Sequence, residues 1–196
     1  AAKIILSQGP IDGYFGSGSG VASQEQFHSA RGLVKAFREL QISIPVVIRQ
    51  RPKIIGITGS VGKTSTKEAV YAVIKKKYFQ NVACSYKNLN TEVGLPLAIL
   101  RINISPQGLM WVYVLTLAFF QFLKYRLFSK NYPKILILEY AADKPGDIKY
   151  LTEIAKPDIA CITEIGASHL EKFKTVSAVA KEKMLLAQNM KPDGIA

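Results

Sequence analysis

Apolar residues along this chain fall into short runs that alternate between a strand-like and a helix-like rhythm, and from residue 53 onward the alternation is regular. Residues 53–58 read as a strand feeding a glycine loop. Residues 63–77 place Ala69, Val70, Val73 and Ile74 at helical spacing. A short strand is expected over 81–85, then a polar loop, then a helical stretch from Leu95. Residues 135–139 (Ile-Leu-Ile-Leu-Glu) form the continuous apolar run that a strand buried on both faces needs. A helix over 148–155 follows Pro145-Gly146, with a strand over 158–163 and a helix over 176–190 after it. Strand and helix in this order predict an α/β fold, a doubly wound and mostly parallel sheet that binds ligands at the carboxyl ends of its strands.

The first 52 residues follow a different grammar. An apolar run at 3–6 leads into Gly- and Ser-rich sequence over 13–20, which lacks the third glycine of a dinucleotide fingerprint because Val21 and Ala22 follow Gly20. A loop is expected there. Phe27, Ala30, Leu33, Val34, Phe37 and Leu40 keep helical spacing, and 42–48 reads as a strand interrupted by Pro45. Arg49, Arg51 and Lys53 make a basic connector around Pro52. Two units are therefore expected: a segment of unassigned role over 1–52 and an α/β domain over 53–196. At the far end, Pro192-Asp193-Gly194 is turn chemistry and Ile195-Ala196 reads as the first step of another strand, so a domain incomplete at its C-terminus is expected.

An insert at about 104–131 interrupts the second unit. Residues 108–123 carry no charge, and Lys124, Arg126, Lys130 and Lys134 come after them. Sixteen residues fall short of the ~20 that span a bilayer. Two readings stay open: the helix packs on its own domain or on a missing one, or residues 108–128 make a peripheral contact with a membrane surface, apolar face inserted and basic end on anionic lipid.

Composition narrows the partners. Lys+Arg 26 against Asp+Glu 14 gives a net charge of +12, which favours an anionic partner. No nucleic acid is expected, because the aromatics cluster in the insert instead of interleaving with basic residues. Cys84 and Cys161 make no disulfide framework, and His28 and His169 lie too far apart in sequence for a zinc spacing. With no basic-then-apolar leader at Ala1-Ala2-Lys3, a cytoplasmic location is expected.

The sharpest motif is Gly56-Ile57-Thr58-Gly59-Ser60-Val61-Gly62-Lys63-Thr64-Ser65, between a strand and a helix. Glycines let backbone N–H groups converge on phosphate oxygens, and a helix starting near Lys63 offers its positive end. The residues from Thr58 to Ser65 are thus candidates for holding ATP, with Lys63 reaching the β- and γ-phosphates and the Thr64 hydroxyl on Mg²⁺. The spacing is G-x-x-G-x-x-G-K-T, with Ile57 where the strict motif has glycine. Glu139 ends the apolar strand; its carboxylate either meets Mg²⁺ at the ligand edge or opens a solvated loop.

The variant spacing resembles that of the Mur ligases and their folylpolyglutamate synthase relatives, and three later segments are similar to that family in the same order. Asn88-Leu89-Asn90-Thr91-Glu92-Val93-Gly94-Leu95-Pro96 resembles its asparagine-rich loop, in the branch that joins D-alanyl-D-alanine to a UDP-N-acetylmuramoyl tripeptide. The stretch 138–148 resembles its strand-end glutamate and helix start. The stretch 162–171 resembles its histidine loop, with Ala180-Lys181-Glu182-Lys183 at the family's distance. Asn90-Thr91-Glu92 replaces the usual Asn-Asn-Glu, and Ala141 replaces a usual glycine.

The resemblance covers 53–196 and implies an ATP- and Mg²⁺-dependent ligase that forms an amide through an acyl phosphate in peptidoglycan precursor synthesis. Its partners would be a UDP-N-acetylmuramoyl peptide and D-alanyl-D-alanine. It further implies that Asn88, Asn90 and Glu92 face the γ-phosphate or its metal, and that His169 holds a second Mg²⁺. Lys183, carbamylated, would help hold metal, although beside Lys181 and Glu182 it also reads as part of a solvated helix face. Other ligases of the superfamily, acting on folates or cyanophycin, and a non-catalytic nucleotide-binding module are the alternatives.

Overall fold

The computed structural model describes residues 41–86, 89–104, 106, 110–128 and 131–196. The apolar run at 3–6, the loop at 13–20, the helix over 23–40, Asn88, residues 108–109 and Lys130 lie outside them. Strands β1 (Lys53–Thr58), β2 (Val82–Cys84), β3 (Ile135–Glu139) and β4 (Ile159–Ile162) form one parallel sheet in the order β2-β3-β1-β4. In the centre, Gly56 of β1 lies between Leu138 of β3 and Ala160 of β4. Ile195 forms a single parallel bridge to Ile159, at the position expected for a further strand step. Cys84 and Cys161 sit on the two outer strands, three strand spacings apart, well beyond disulfide reach.

Alternation along the strands splits the core in two, because successive side chains point to opposite faces. Ile54, Leu136 and Leu138 enter the larger core, packed by residues of α1 (Ser43–Gln50), α3 (Gly94–Ile99), α4 (Met110–Leu127), α5 (Asp147–Ile154), α6 (Leu170–Phe173) and α7 (Val176–Gln188). Ile55, Ile57, Val82 and Ile137 face the other way, against Val70, Tyr71 and Ile74 of α2 (Lys63–Tyr78). Helices on both faces complete the doubly wound architecture. Each large side chain fully buried in this way contributes roughly 1.5–3 kcal/mol.

Two expectations give way. Residues 42–48 belong to helix α1 and form no strand. Pro45 occupies the first turn, where its missing N–H has no helical partner to lose, and Val46 is buried against the core. The helix closes at Arg51 (φ 48°), whose N–H donates to the Val47 carbonyl, and Pro52 blocks continuation. In α2 the inward face is Lys67, Val70, Tyr71 and Ile74, whereas Val73 is 70% exposed and Ala69 is also exposed. A charged residue takes the core position that the apolar count gave to alanine.

Candidate nucleotide site

Every candidate described follows the carboxyl end of one of the four strands or stands at it. Thr58, buried at the end of β1, donates its hydroxyl to the Tyr140 carbonyl at 2.7 Å. Gly59 has φ 150°, and a Cβ there would meet Thr163 Oγ1 at 1.9 Å, so only glycine fits. Ser60 fastens the loop to the segment after β4: its N–H donates to the Glu164 carbonyl (2.7 Å) and its hydroxyl to the Gly166 carbonyl (3.1 Å). Ser168 Oγ donates to Ser60 Oγ at 2.9 Å, and Val61 bridges Glu164. Gly62, at φ 82°, turns the chain into α2, whose first-turn N–H groups have no carbonyl within the helix to bond. Lys63 folds its ammonium over the loop, donating to the carbonyls of Gly59 (2.9 Å) and Ser60 (3.0 Å). Ser65 is exposed on the first turn.

Glu139 is the junction. It is 1% exposed, so it does not open a solvated loop. Thr64 Oγ1 donates to its Oε2 (3.1 Å), Asn90 Nδ2 donates to its Oε1 (2.8 Å), and its own N–H reaches Ser85 Oγ (3.3 Å). The phosphate loop, the asparagine-rich loop and the strand-end glutamate therefore meet in one hydrogen-bonded cluster. Lys67 Nζ lies 3.6 Å from Glu139 Oε2, fully buried. No motif in the sequence singles out Lys67. Its signal was a lysine one helical turn beyond Lys63, on the same face. Glu92 is half-buried two residues before α3.

His169 and Lys183 occupy a second group. His169 precedes α6 at φ 52°, with Nε2 3.6 Å from Asp143 Oδ1 and Nδ1 3.8 Å from Glu171 Oε1. Asp143, which the sequence does not single out, thus faces the histidine. Lys183 is 2% exposed, and Lys181 alone of the neighbouring charges fits a solvated face. Burial pushes its ammonium down to about 8; the nearby Lys63 charge pushes the same way, while Glu182, Asp143 and Asp147 pull back. Glu182 is buried too, its carboxylate accepting the N–H groups of Gly146 (3.0 Å) and Ile148 (2.8 Å) at the start of α5.

A family profile described as Mur ligase middle domain matches residues 57–106 and 121–196. The chain belongs to the Mur ligase family. Among its Mur ligase relatives, the UDP-N-acetylmuramoyl-tripeptide–D-alanyl-D-alanine ligase of Buchnera aphidicola subsp. Baizongia pistaciae is 35% identical over 143 residues, covering 73% of this chain and 25% of that protein. The enzyme of the same name from Mycobacterium leprae is 28% identical over 98% of this chain and 32% of its own length, so similarity extends into the first 52 residues. The chain spans only about a quarter to a third of these relatives. The MurF ligase of Thermotoga maritima in complex with ADP matches with a TM-score of 0.59 at 32% identity, over 83% of this chain and 31% of that one.

Proposed function

We propose that this chain is the ATP-binding part of a cytoplasmic Mur ligase that joins D-alanyl-D-alanine to a UDP-N-acetylmuramoyl tripeptide. The carrying observation is the Thr64–Glu139–Asn90 junction at the mouth of the phosphate loop. It joins a nucleotide-binding motif to a buried carboxylate, which a bare phosphate-binding turn does not need. The ADP bound in the Thermotoga relative and the relatives' shared name point the same way.

The donor set fits Mg²⁺. Among the described residues no group of three or more His, Cys, Asp or Glu converges into a closed cage. A magnesium ion needs none: one or two protein oxygens suffice when phosphates and waters complete the shell. Glu139 and Thr64 supply those oxygens, and His169 would serve a second ion. The bound cation supplies charge neutralisation between two anions, the substrate carboxylate and the triphosphate.

This chain's own groups do the rest. Lys63 moves from the loop carbonyls onto the phosphates, and the first turn of α2 presents its N–H groups to them. Asn90 and Lys67 fix the Glu139 carboxylate. The substrate carboxylate attacks the γ-phosphorus, releasing ADP; the amine of D-alanyl-D-alanine then attacks the acyl carbon, phosphate leaves and the amine proton departs. Lys183, whose amine burial holds down to about 8, would add to carbon dioxide with loss of a proton, and the resulting anionic carbamate would help hold the second metal.

The test is phosphate release by the full-length protein. Release that requires ATP, Mg²⁺, UDP-N-acetylmuramoyl tripeptide and D-alanyl-D-alanine together is expected. Nucleotide binding without release in their combined presence would establish a binding module instead.

A further inference from the structure

Helix α4 is apolar on two sides. Trp111, Val114, Ala118 and Tyr125 turn inward to the core. On the opposite side Tyr113, Phe120 and Leu127 recur every seven residues and are 61–62% exposed, flanked by Val112 and Phe119 at 55–56%. A helix serving only its own domain carries polar residues on that side. An exposed apolar stripe of this length marks a surface meant to be covered. The family profile stops at residue 106 and resumes at 121, so the stretch that carries most of the stripe lies outside what the family shares.

Cations border the stripe at one end. The Gln50 side-chain amide donates to the Tyr125 carbonyl and fastens the end of α1 to the end of α4. There Arg49, Arg51 and Arg126, with Pro45 and the 66%-exposed Ile48, line a concavity of about 530 Å³ whose described lining has no carboxylate. Lys124 is exposed one turn before Phe128. Guanidiniums suited to phosphate oxygens thus sit beside aromatics suited to acyl chains. A second copy of the chain would bring the same cationic rim and a net charge of +12, so charge complementarity favours an anionic occupant. No described helix is long and apolar enough to cross a membrane.

We propose that α4 and the end of α1 dock on the surface of an anionic lipid bilayer: α4 lies along the interface, its aromatic stripe among the acyl chains, and Arg49, Arg51 and Arg126 hold headgroup phosphates. The contact is independent of the ligase reading. The test is flotation of the full-length protein with phosphatidylglycerol-containing vesicles and with pure phosphatidylcholine vesicles, for the native protein, Phe119→Ser/Phe120→Ser and Arg49→Glu/Arg126→Glu. Calorimetric titration with MgADP runs alongside.

Native protein should bind the anionic vesicles at least tenfold more tightly than the neutral ones. Each double variant should lose tenfold or more and keep its MgADP affinity. Failure of folded, nucleotide-binding protein to float with anionic vesicles overturns the proposal. So does flotation that neither variant weakens, or a solution dimer that the serine variant abolishes. Loss of MgADP affinity in the native protein would instead count against the ligase reading and leave the vesicle result standing.

Discussion

Glu139 and Lys67 are opposite charges taken almost wholly out of water, at 1% and 0% exposure and 3.6 Å apart. Removing Lys67 leaves the buried Glu139 carboxylate uncompensated, a loss of about 3–5 kcal/mol. Lys67→Met should therefore lower the melting temperature sharply, and adding Glu139→Gln should restore most of it without restoring ATP turnover; the double variant read by calorimetry and phosphate release checks both halves. Lys183 behaves in the opposite sense. Its ammonium titrates near 8 when folded and near 10.5 when unfolded, so the unfolded chain binds more protons between those values and stability rises with pH across them. Below 8 the full penalty is present. With carbon dioxide excluded, so that the amine stays unmodified, Lys183→Met should thus be more stable than the native chain at pH 7, by about 1–2 kcal/mol, with the gain fading as pH passes 8 toward 10.5 in denaturant titrations. The residues that carry the site were legible where motif and strand end coincide, as at Lys63, Thr64 and Glu139. Lys67 and Asp143 were not, because their meaning comes from what lies opposite them in space: a buried carboxylate for one, His169 for the other.

Elements were legible in proportion to how far their pattern depends on one neighbour. β3 is buried on both faces, so its five residues read as strand from any side. Helix α1 did not, since β-branched residues around Pro45 suit a strand locally and become helical only because Val46 and Ser43 find a core to enter. Helix α5 shows the same dependence at its start. Its first turn is capped from another helix, by Glu182, whose two oxygens take the Gly146 and Ile148 N–H groups. Nothing local to residues 147–154 announces that partner. Glu182→Gln keeps the shape but replaces one acceptor oxygen by a donor and removes the charge that faces the helix's positive end. A loss of about 1–2 kcal/mol is expected in urea unfolding, together with a further fall in the Lys183 pKa, because Glu182 exerts the strongest upward pull on it.

At the scale of the molecule, the strand order places β1 between β3 and β4, so the segments that follow all three converge on one edge. The phosphate loop is held from both sides there: Ser60 by the loop after β4, and Thr64 by Glu139 at the end of β3. A nucleotide on that loop touches the place where three crossovers meet, and anything that binds the folded state alone stabilises all of it. At a hundredfold excess over its dissociation constant that stabilisation is about 2.7 kcal/mol. For a chain of this size it corresponds to a rise of about 5–10 °C in melting temperature. MgADP should therefore raise the thermal midpoint by that amount, and chelating the cation with EDTA should remove most of the rise, because Glu139 and Thr64 present oxygens to a metal and not to phosphate. Lys63→Ala should abolish the rise while leaving the unliganded midpoint within about 2 °C of the native value, since Lys63 is half-buried and, among the described residues, bonds the carbonyls of its own loop. A variant that kept the full MgADP shift would show that the ammonium does not meet the phosphates, whereas a variant that unfolded early would show that its bonds to Gly59 and Ser60 hold the loop's shape.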